Sequence, residues 1–168
     1  PVVYPYPMGN CWLVQDVYMA SSADEEIETI ALIDPAKQVI LAQKDETVVK
    51  AGISSSAKYS GEGTIALTHY APNELRYKFS SKENQLALFS EIYYPAGWRA
   101  TIDGVQADIL RADYAFRALA VPAGEHEIVF RFDPQSFHTG ATISRVTSAI
   151  LWLALLGVIG VAVVRRKK

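Results

Sequence analysis

The stretch from Val146 to Val164 constrains this chain more than any other feature. Its 19 residues carry no charge, and Thr147 and Ser148 are its only hydroxyl-bearing members. At ~1.5 Å per residue they make a helix of roughly 28 Å, close to the ~30 Å hydrocarbon core of a bilayer. Arg145 flanks one end, and Arg165, Arg166, Lys167 and Lys168 flank the other. Cations that follow a span mark the cytoplasmic side, because positive segments resist translocation. The expected topology is therefore N-terminus out and C-terminus in, with the lipid bilayer as the first partner. A buried core helix is the competing reading, but core helices are usually shorter and rarely apolar on every face. A cleaved sorting tail is another, and no LPxTG-type signal precedes the run.

Charge divides the chain at the same place. Residues 1–142 hold all 18 acidic residues and 11 of the 16 basic ones, a net of −7. Such a domain offers no basic stripe, which excludes nucleic acid as a partner, and it does not cling to anionic lipid by charge. Cys11 is the single cysteine, so no intrachain disulfide forms. A lone thiol outside the cytoplasm is more often a small buried hydrophobe than a nucleophile. Preceded by Asn10, it is also a poor candidate for a lipoprotein cysteine. A domain on the far side of a membrane needs an export route, and neither an initiator Met nor a signal peptide opens the chain. The expectation is a C-terminal fragment of a longer protein.

The remaining pattern predicts a mainly β fold, an antiparallel, jelly-roll-like β-sandwich with one short N-terminal α-helix and a C-terminal transmembrane helix. Tyr4-Pro5-Tyr6-Pro7 reads as extended, and Trp12-Leu13-Val14 as a short strand. Ser22 followed by Glu25 is a capping-box pattern. Asp24, Glu25 and Glu26 suit the first turn of a helix, and Ile27, Ile30 and Ala31 recur at helical spacing. The helix is predicted over Ala23–Ile33, stopped by Pro35. Val39-Ile40-Leu41 reads as a strand, and the polar stretch 43–63 as a strand plus a loop. Leu75, Tyr77 and Phe79 then alternate with Arg76, Lys78 and Ser80, the period of a half-buried strand. Leu86–Tyr94 is apolar on both faces and predicts a central strand. Trp98, Ala100 and Ile102 alternate with polar residues up to Asp103-Gly104, a type I′ hairpin signal, and Val105, Ala107 and Ile109 follow. Phe116–Val121 is another strand and residues 122–125 a turn. Ile128, Phe130 and Phe132 are expected to face inward, with Asp133-Pro134 ending that strand. Seven or eight short strands with hairpin turns indicate the sandwich. The expected organisation is a strand–helix–strand lead-in at 1–42, an extracytoplasmic sandwich at 43–138 and a short linker at 139–145. A transmembrane helix at 146–164 and a basic cytoplasmic tail at 165–168 complete it.

Catalytic signatures are missing from the sequence. It has no GxSxG, Gly-rich phosphate loop, HExxH or CxxC. His69, His126 and His138 are far apart and show no metal-ligand spacing, so neither catalytic nor metal residues are assigned and no cofactor is expected. The cluster that invites a function is Tyr93-Tyr94-Pro95-Ala96-Gly97-Trp98-Arg99. Aromatic faces stack on the apolar faces of sugar rings, and an Arg beside them binds hydroxyls or phosphate, which makes Tyr93, Tyr94, Trp98 and Arg99 candidate carbohydrate contacts. The bland alternative is that these rings pack the sandwich, as aromatics usually do. Tyr114, Phe116 and Arg117 pose the same choice.

The run Ser90-Glu91-Ile92-Tyr93-Tyr94-Pro95-Ala96-Gly97-Trp98-Arg99-Ala100-Thr101-Ile102-Asp103-Gly104 resembles the C-terminal region of the YfhO family of bacterial membrane proteins. Arg111–Arg117, Val121–Phe130 and Asp133–Phe137 agree, as do the order of the earlier elements and the final span with its basic end. Gly9-Asn10-Cys11 departs from the Pro-Arg expected ahead of Trp12. The resemblance covers nearly the whole chain. It implies a long polytopic protein of the bacterial inner membrane, similar to GT-C-type glycosyltransferases that use lipid-linked sugars, with links to glycosylation of cell-envelope polymers. The acidic catalytic motif of such enzymes lies in an early extracytoplasmic loop that has no counterpart here, so no catalytic residue carries over.

Two functions follow as expectations. One is an extracytoplasmic accessory domain plus the last span of a polytopic protein, whose partners are its N-terminal transmembrane region and an envelope glycan or lipid-linked sugar. The other is a single-span, membrane-anchored carbohydrate- or protein-binding or structural sandwich with no catalytic role. A self-contained hydrolase has no motif to support it. Exposure of Tyr94 and Trp98 on one face favours sugar binding, and their burial favours a structural role.

Overall fold

The computed structural model describes residues 8–166, so the extended reading of Tyr4–Pro7 and the last two lysines fall outside the described residues. The chain divides into two compact units, one up to Phe132 and one from Asp133 on. In chain order the first holds β1 (Cys11–Val14), β2 (Asp16–Ala20), α1 (Ala23–Ile30), β3 (Gln38–Ala42), α2 (Glu46–Lys50), β4 (Thr64–Ala71) and β5 (Glu74–Ser81). It continues with β6 (Gln85–Phe89), β7 (Trp98–Ile102), β8 (Val105–Ala107), β9 (Leu110–Ala112), β10 (Phe116–Val121) and β11 (Gly124–Phe132). The second unit is α3 (Gln135–Arg166).

The strands form two sheets, a six-stranded one in the order β1-β6-β10-β9-β3-β2 and a five-stranded one in the order β4-β5-β11-β7-β8. Pairing is antiparallel except between β2 and β3, which run parallel because α1 is a crossover between them. The strands expected in a lead-in are thus half of the larger sheet. Between the sheets lies an aromatic core in which Tyr77, Phe89 and Phe130 meet edge to face at 4.9–5.9 Å, with Leu75, Phe79, Leu119 and Ile128 around them. The opposite face of the larger sheet carries an aliphatic core of Val14, Val39, Leu41, Leu86, Leu88 and Leu110. Val48 of α2 and Ile53 of the following loop cover it.

Local chemistry explains most elements. Ser22 caps α1, its Oγ accepting the Glu25 N–H at 3.2 Å. The Glu25 carboxylate, instead of closing the capping box, accepts the Ser21 N–H at 2.8 Å and the Tyr18 hydroxyl at 2.7 Å. The Ser21 hydroxyl also donates to this carboxylate, and with it foremost these bonds hold the Glu25 carboxyl down at a pKa of about 2. The helix ends at Ile30, three residues before its expected end. The Leu32 N–H turns back to the Thr29 carbonyl, and Leu32 itself is solvent-exposed, so no apolar contact continues the helix toward Pro35. The expected strand in 43–63 is instead α2, capped by Asp45, whose side chain accepts the Thr47 N–H at 2.9 Å. A single bridge between Asp16 and Lys58 is the only sheet-like pairing of that stretch.

Asp103-Gly104 makes the predicted two-residue hairpin, with both φ values positive (50° and 81°) and Ile102 paired to Val105. β6 is buried on both faces but ends at Phe89 rather than Tyr94, and residues 90–97 leave the sheet. Ile128 and Phe130 point inward as expected. Phe132 does not, being 37% exposed at the end of β11.

The second unit is one helix of 32 residues. The expected linker at 139–145 is helical and continuous with the apolar run. α3 is long and apolar enough to cross a membrane, and its Leu151, Trp152, Leu156 and Val158 are exposed. A long helix that is apolar on every face is what a lipid environment selects.

Candidate functional site: an aromatic cleft

Residues 90–97 form the loop between β6 and β7. The Tyr93 N–H donates to the Ala115 carbonyl at 2.7 Å, and the N–H groups of Gly97 and Trp98 turn back to the Tyr94 carbonyl at 3.3 and 3.2 Å. The turn needs Gly97 for space rather than for its φ, since a Cβ there would sit 2.2 Å from Phe132 Cε2.

This loop, the β7–β8 hairpin and α2 enclose a shallow cleft of about 270 Å³. Tyr93, Trp98 and Arg99 line it, and so do Thr47, Gln106 and Asp108. Three of the four residues singled out from sequence therefore share one cavity. The fourth, Tyr94, is not among its lining residues. Tyr94 is 52% exposed and stacks on Phe132 at 6.3 Å. Trp98 is half-buried, tilted against Phe132 at 5.4 Å and covered on the inside by the Arg117 guanidinium, 4.3 Å from its ring. Exposure thus splits the cluster, with Tyr94 open and Trp98 held partly in the fold.

The charges in the cleft differ in their freedom. Asp108 is paired with Lys50 at 2.6 Å. Arg99 is exposed, and its side chain has no ion pair or hydrogen bond among the described residues. It lies directly across from Arg131 in the β7–β11 register, and Arg131 turns away to Glu74 at 2.7 Å. Like charges opposite each other weaken a sheet, so Arg99 is a cation the fold does not use for itself. Burial pushes the Tyr93 phenol above its ordinary value, which keeps it a neutral donor at physiological pH.

Of the other sequence candidates, Phe116 packs against the aliphatic core. Tyr114 is exposed, at a φ of 68°, with the Arg111 guanidinium 5.7 Å from its ring. Arg117 is buried between the sheets. Sequence reasoning did not reach Thr47, Gln106 or Asp108. None stands in an aromatic run, and they join the cleft only through the placement of α2 and β8. A larger cleft, about 460 Å³ and lined by Ser60, Glu62, Ser81, Lys82 and Glu125 among others, contains no aromatic ring. Among the described residues no group of three or more His, Cys, Asp or Glu is placed to hold a metal ion. Cys11 is half-buried, and desolvation pushes its thiol up to about 11, so it is not poised as a nucleophile.

The fold and the cleft define a β-sandwich with an aromatic surface site, carried by a chain that ends in a membrane-spanning type of helix. The family model for the bacterial membrane protein YfhO matches residues 41–144, well over half the chain. The chain belongs to the YfhO family of bacterial membrane proteins. No curated protein and no solved structure matches it.

Proposed function

We propose that this chain is the extracytoplasmic accessory domain and last membrane span of a polytopic YfhO protein. In this reading the protein takes part in glycosylating cell-envelope polymers from lipid-linked sugars in the bacterial inner membrane. Its cleft holds a saccharide, with Tyr93 and Trp98 as the aromatic wall and Arg99 as the group that binds hydroxyls or an anionic substituent. The chain supplies no catalytic group. A sandwich tethered by α3 raises the local concentration of whatever it holds near the membrane. The observation that carries this reading is that Tyr93, Trp98 and Arg99 line one cleft of a family member, with no partner for the Arg99 side chain among the described residues. Sugar sites are built from aromatic faces and a few convergent polar groups of this kind.

The test is binding of the detergent-solubilised chain to an array of bacterial envelope saccharides. Retention on some of them, falling about tenfold or more in Arg99→Ala, is expected, a loss that matches one or two charge-assisted hydrogen bonds. Absence of binding by the wild-type chain across neutral and anionic saccharides would overturn it.

A second reading, a structural or protein-binding sandwich without sugar affinity, is favoured by one observation. Trp98 spends part of its ring on Arg117 and Phe132. In that case Trp98→Ala unfolds the domain and Arg99→Ala changes nothing.

A further inference from the structure

Arg117 is 2% exposed, yet it lies in β10 on the face turned toward the second sheet. A cation placed there loses its water, and a hydrophobe of similar volume is often the more stable occupant. Desolvation holds the guanidinium below its usual value, partly offset by the negative charge of Glu91. Its contacts show what is gained in exchange. The Nε–H donates to the Ile92 carbonyl at 2.7 Å, and the guanidinium carbon sits 4.3 Å from the Trp98 ring and 5.5 Å from the Phe130 ring. Among the described residues Nη1 has no hydrogen-bond partner, and neither has the buried Tyr77 hydroxyl in the same inter-sheet layer.

Ile92 and Trp98 are the two ends of the segment that carries Tyr93 and Tyr94. Between β6 and β7 this segment has no strand ladder until Trp98, which opens β7 and pairs with Phe132. Its other ties are the Tyr93 bond to Ala115, the turn at Tyr94 and the ring contacts of Phe132. One side chain therefore holds both ends, one by a hydrogen bond and the other by a ring face. We propose that Arg117 is the positioning residue of the cleft, a buried guanidinium that fastens residues 92–98 at both ends and so fixes Tyr93 and Trp98 in their binding geometry. Only arginine suits the task. Its planar, weakly hydrated head donates in its plane to a carbonyl while its face lies on an indole. A lysine ammonium has no such face, and burial drives it toward the neutral form.

The test uses the full chain in lipid nanodiscs, with Trp12→Phe and Trp152→Phe leaving Trp98 as the only indole. Amide hydrogen exchange across 92–98 is compared with exchange in β11, and iodide quenching reports access to Trp98. In Arg117→Met, exchange at 92–98 is expected to rise about tenfold or more while β11 keeps its protection, the mark of local rather than global opening. Trp98 quenching rises with it, and Arg117→Lys restores less than half of either signal. Leu119→Ala is the control, since it removes a buried side chain from the same strand and layer. It raises exchange in both regions together.

Equal changes at 92–98 and β11 in Arg117→Met, or a Lys variant indistinguishable from wild type, would overturn the proposal. If the Met variant does not fold, the Lys variant decides by the same comparison. The inference rests on the saccharide reading only for the word binding. The order of the segment is measured with no saccharide present, so its failure and the failure of that reading are separate results.

Discussion

The two faces of β6 are buried equally and packed differently. Leu86 and Leu88 join an aliphatic cluster closed by α2 and the loop after it, whereas Ala87 and Phe89 join the aromatic cluster between the sheets. Aliphatic side chains on the first face fill space, and the buried unpartnered side-chain polar atoms identified among the described residues are not among them. On the second face the rings meet edge to face, and that layer holds both the Arg117 guanidinium and the Tyr77 hydroxyl. Ring faces attract cations, so an aromatic layer can keep a charge that an aliphatic one would expel. Burial alone therefore does not mark the functional side of this sandwich. The proposed site lies at the rim of the aromatic layer, where the rings that accept Arg117 continue outward through Trp98 to the cleft.

The largest expected effects test that contrast directly. Phe89→Ala should cost about 3–5 kcal/mol and Leu88→Ala about 2–5 kcal/mol, measured by urea unfolding. Phe89→Ala should also move the emission of Trp98 through Phe130 and Arg117, while Leu88→Ala should leave it unchanged. Equal emission shifts would mean that the two layers are not distinct.

Next comes Trp98→Ala. Trp98 is half-buried and bridges Arg117 and Phe132, so a loss of about 2–4 kcal/mol is expected, below the full cost of a core aromatic. Stability should suffer more than any binding does. A stable, well-folded Trp98→Ala protein would assign Trp98 to the cleft rather than to the core.

The smallest effect is a pH slope at the far end of the second sheet. His126 Nδ1 meets Asp103 Oδ2 at 2.6 Å, and Nε2 meets the Ala123 carbonyl at 3.3 Å. Two acceptors require both ring nitrogens to carry hydrogen, which favours the imidazolium. The bond to Asp103 accordingly raises the His126 pKa above its ordinary 6.5. A raised histidine contributes stability that is complete below the unfolded value and is lost as pH rises through the folded one. Thermal unfolding should therefore show declining stability above about pH 6.5 that His126→Gln flattens. The carboxylate of Asp103, held below its ordinary 3.8 by the same contact, gives the mirror effect. Its contribution is present above that value and fades as pH falls through the lowered one. An unchanged slope in His126→Gln would place the pH dependence above 6.5 elsewhere, and a separate slope at lower pH is expected from Asp113. Burial lifts that carboxyl to about 6 and makes it destabilising as pH rises from its unfolded value toward 6.

Much of the sandwich was legible because local chemistry and burial agree there. Leu75, Tyr77 and Phe79 alternate with polar residues, and all three are buried. Asp103-Gly104 specifies a turn that few other pairs adopt, and it is found. Where local signals competed, the reading failed. Residues 43–63 looked like a strand because the Asp45 cap heads a helix of only five residues, too short to show a period. Residues 90–94 continue the apolar run of β6, but the Ile92 carbonyl bonds to Arg117 instead of to a neighbouring strand. Phe132 continues the inward register of β11, yet it lies at the rim and stacks with Tyr94 and Trp98.

By itself the sequence determined the apolar helix with its basic end, the β class, the hairpin at Asp103-Gly104, the YfhO resemblance and the aromatic run at 93–99. Each of these is written in contiguous residues, where periodicity, turn geometry and charge act over a few positions. Only the tertiary structure decided that Thr47, Gln106 and Asp108 complete a cleft with Tyr93, Trp98 and Arg99, that Tyr94 lies outside its lining, and that Arg117 sits beneath Trp98. Those relations join α2, β8 and β10 across tens of residues, and sheet pairing and the packing of one layer on another fix them. No local pattern carries that information.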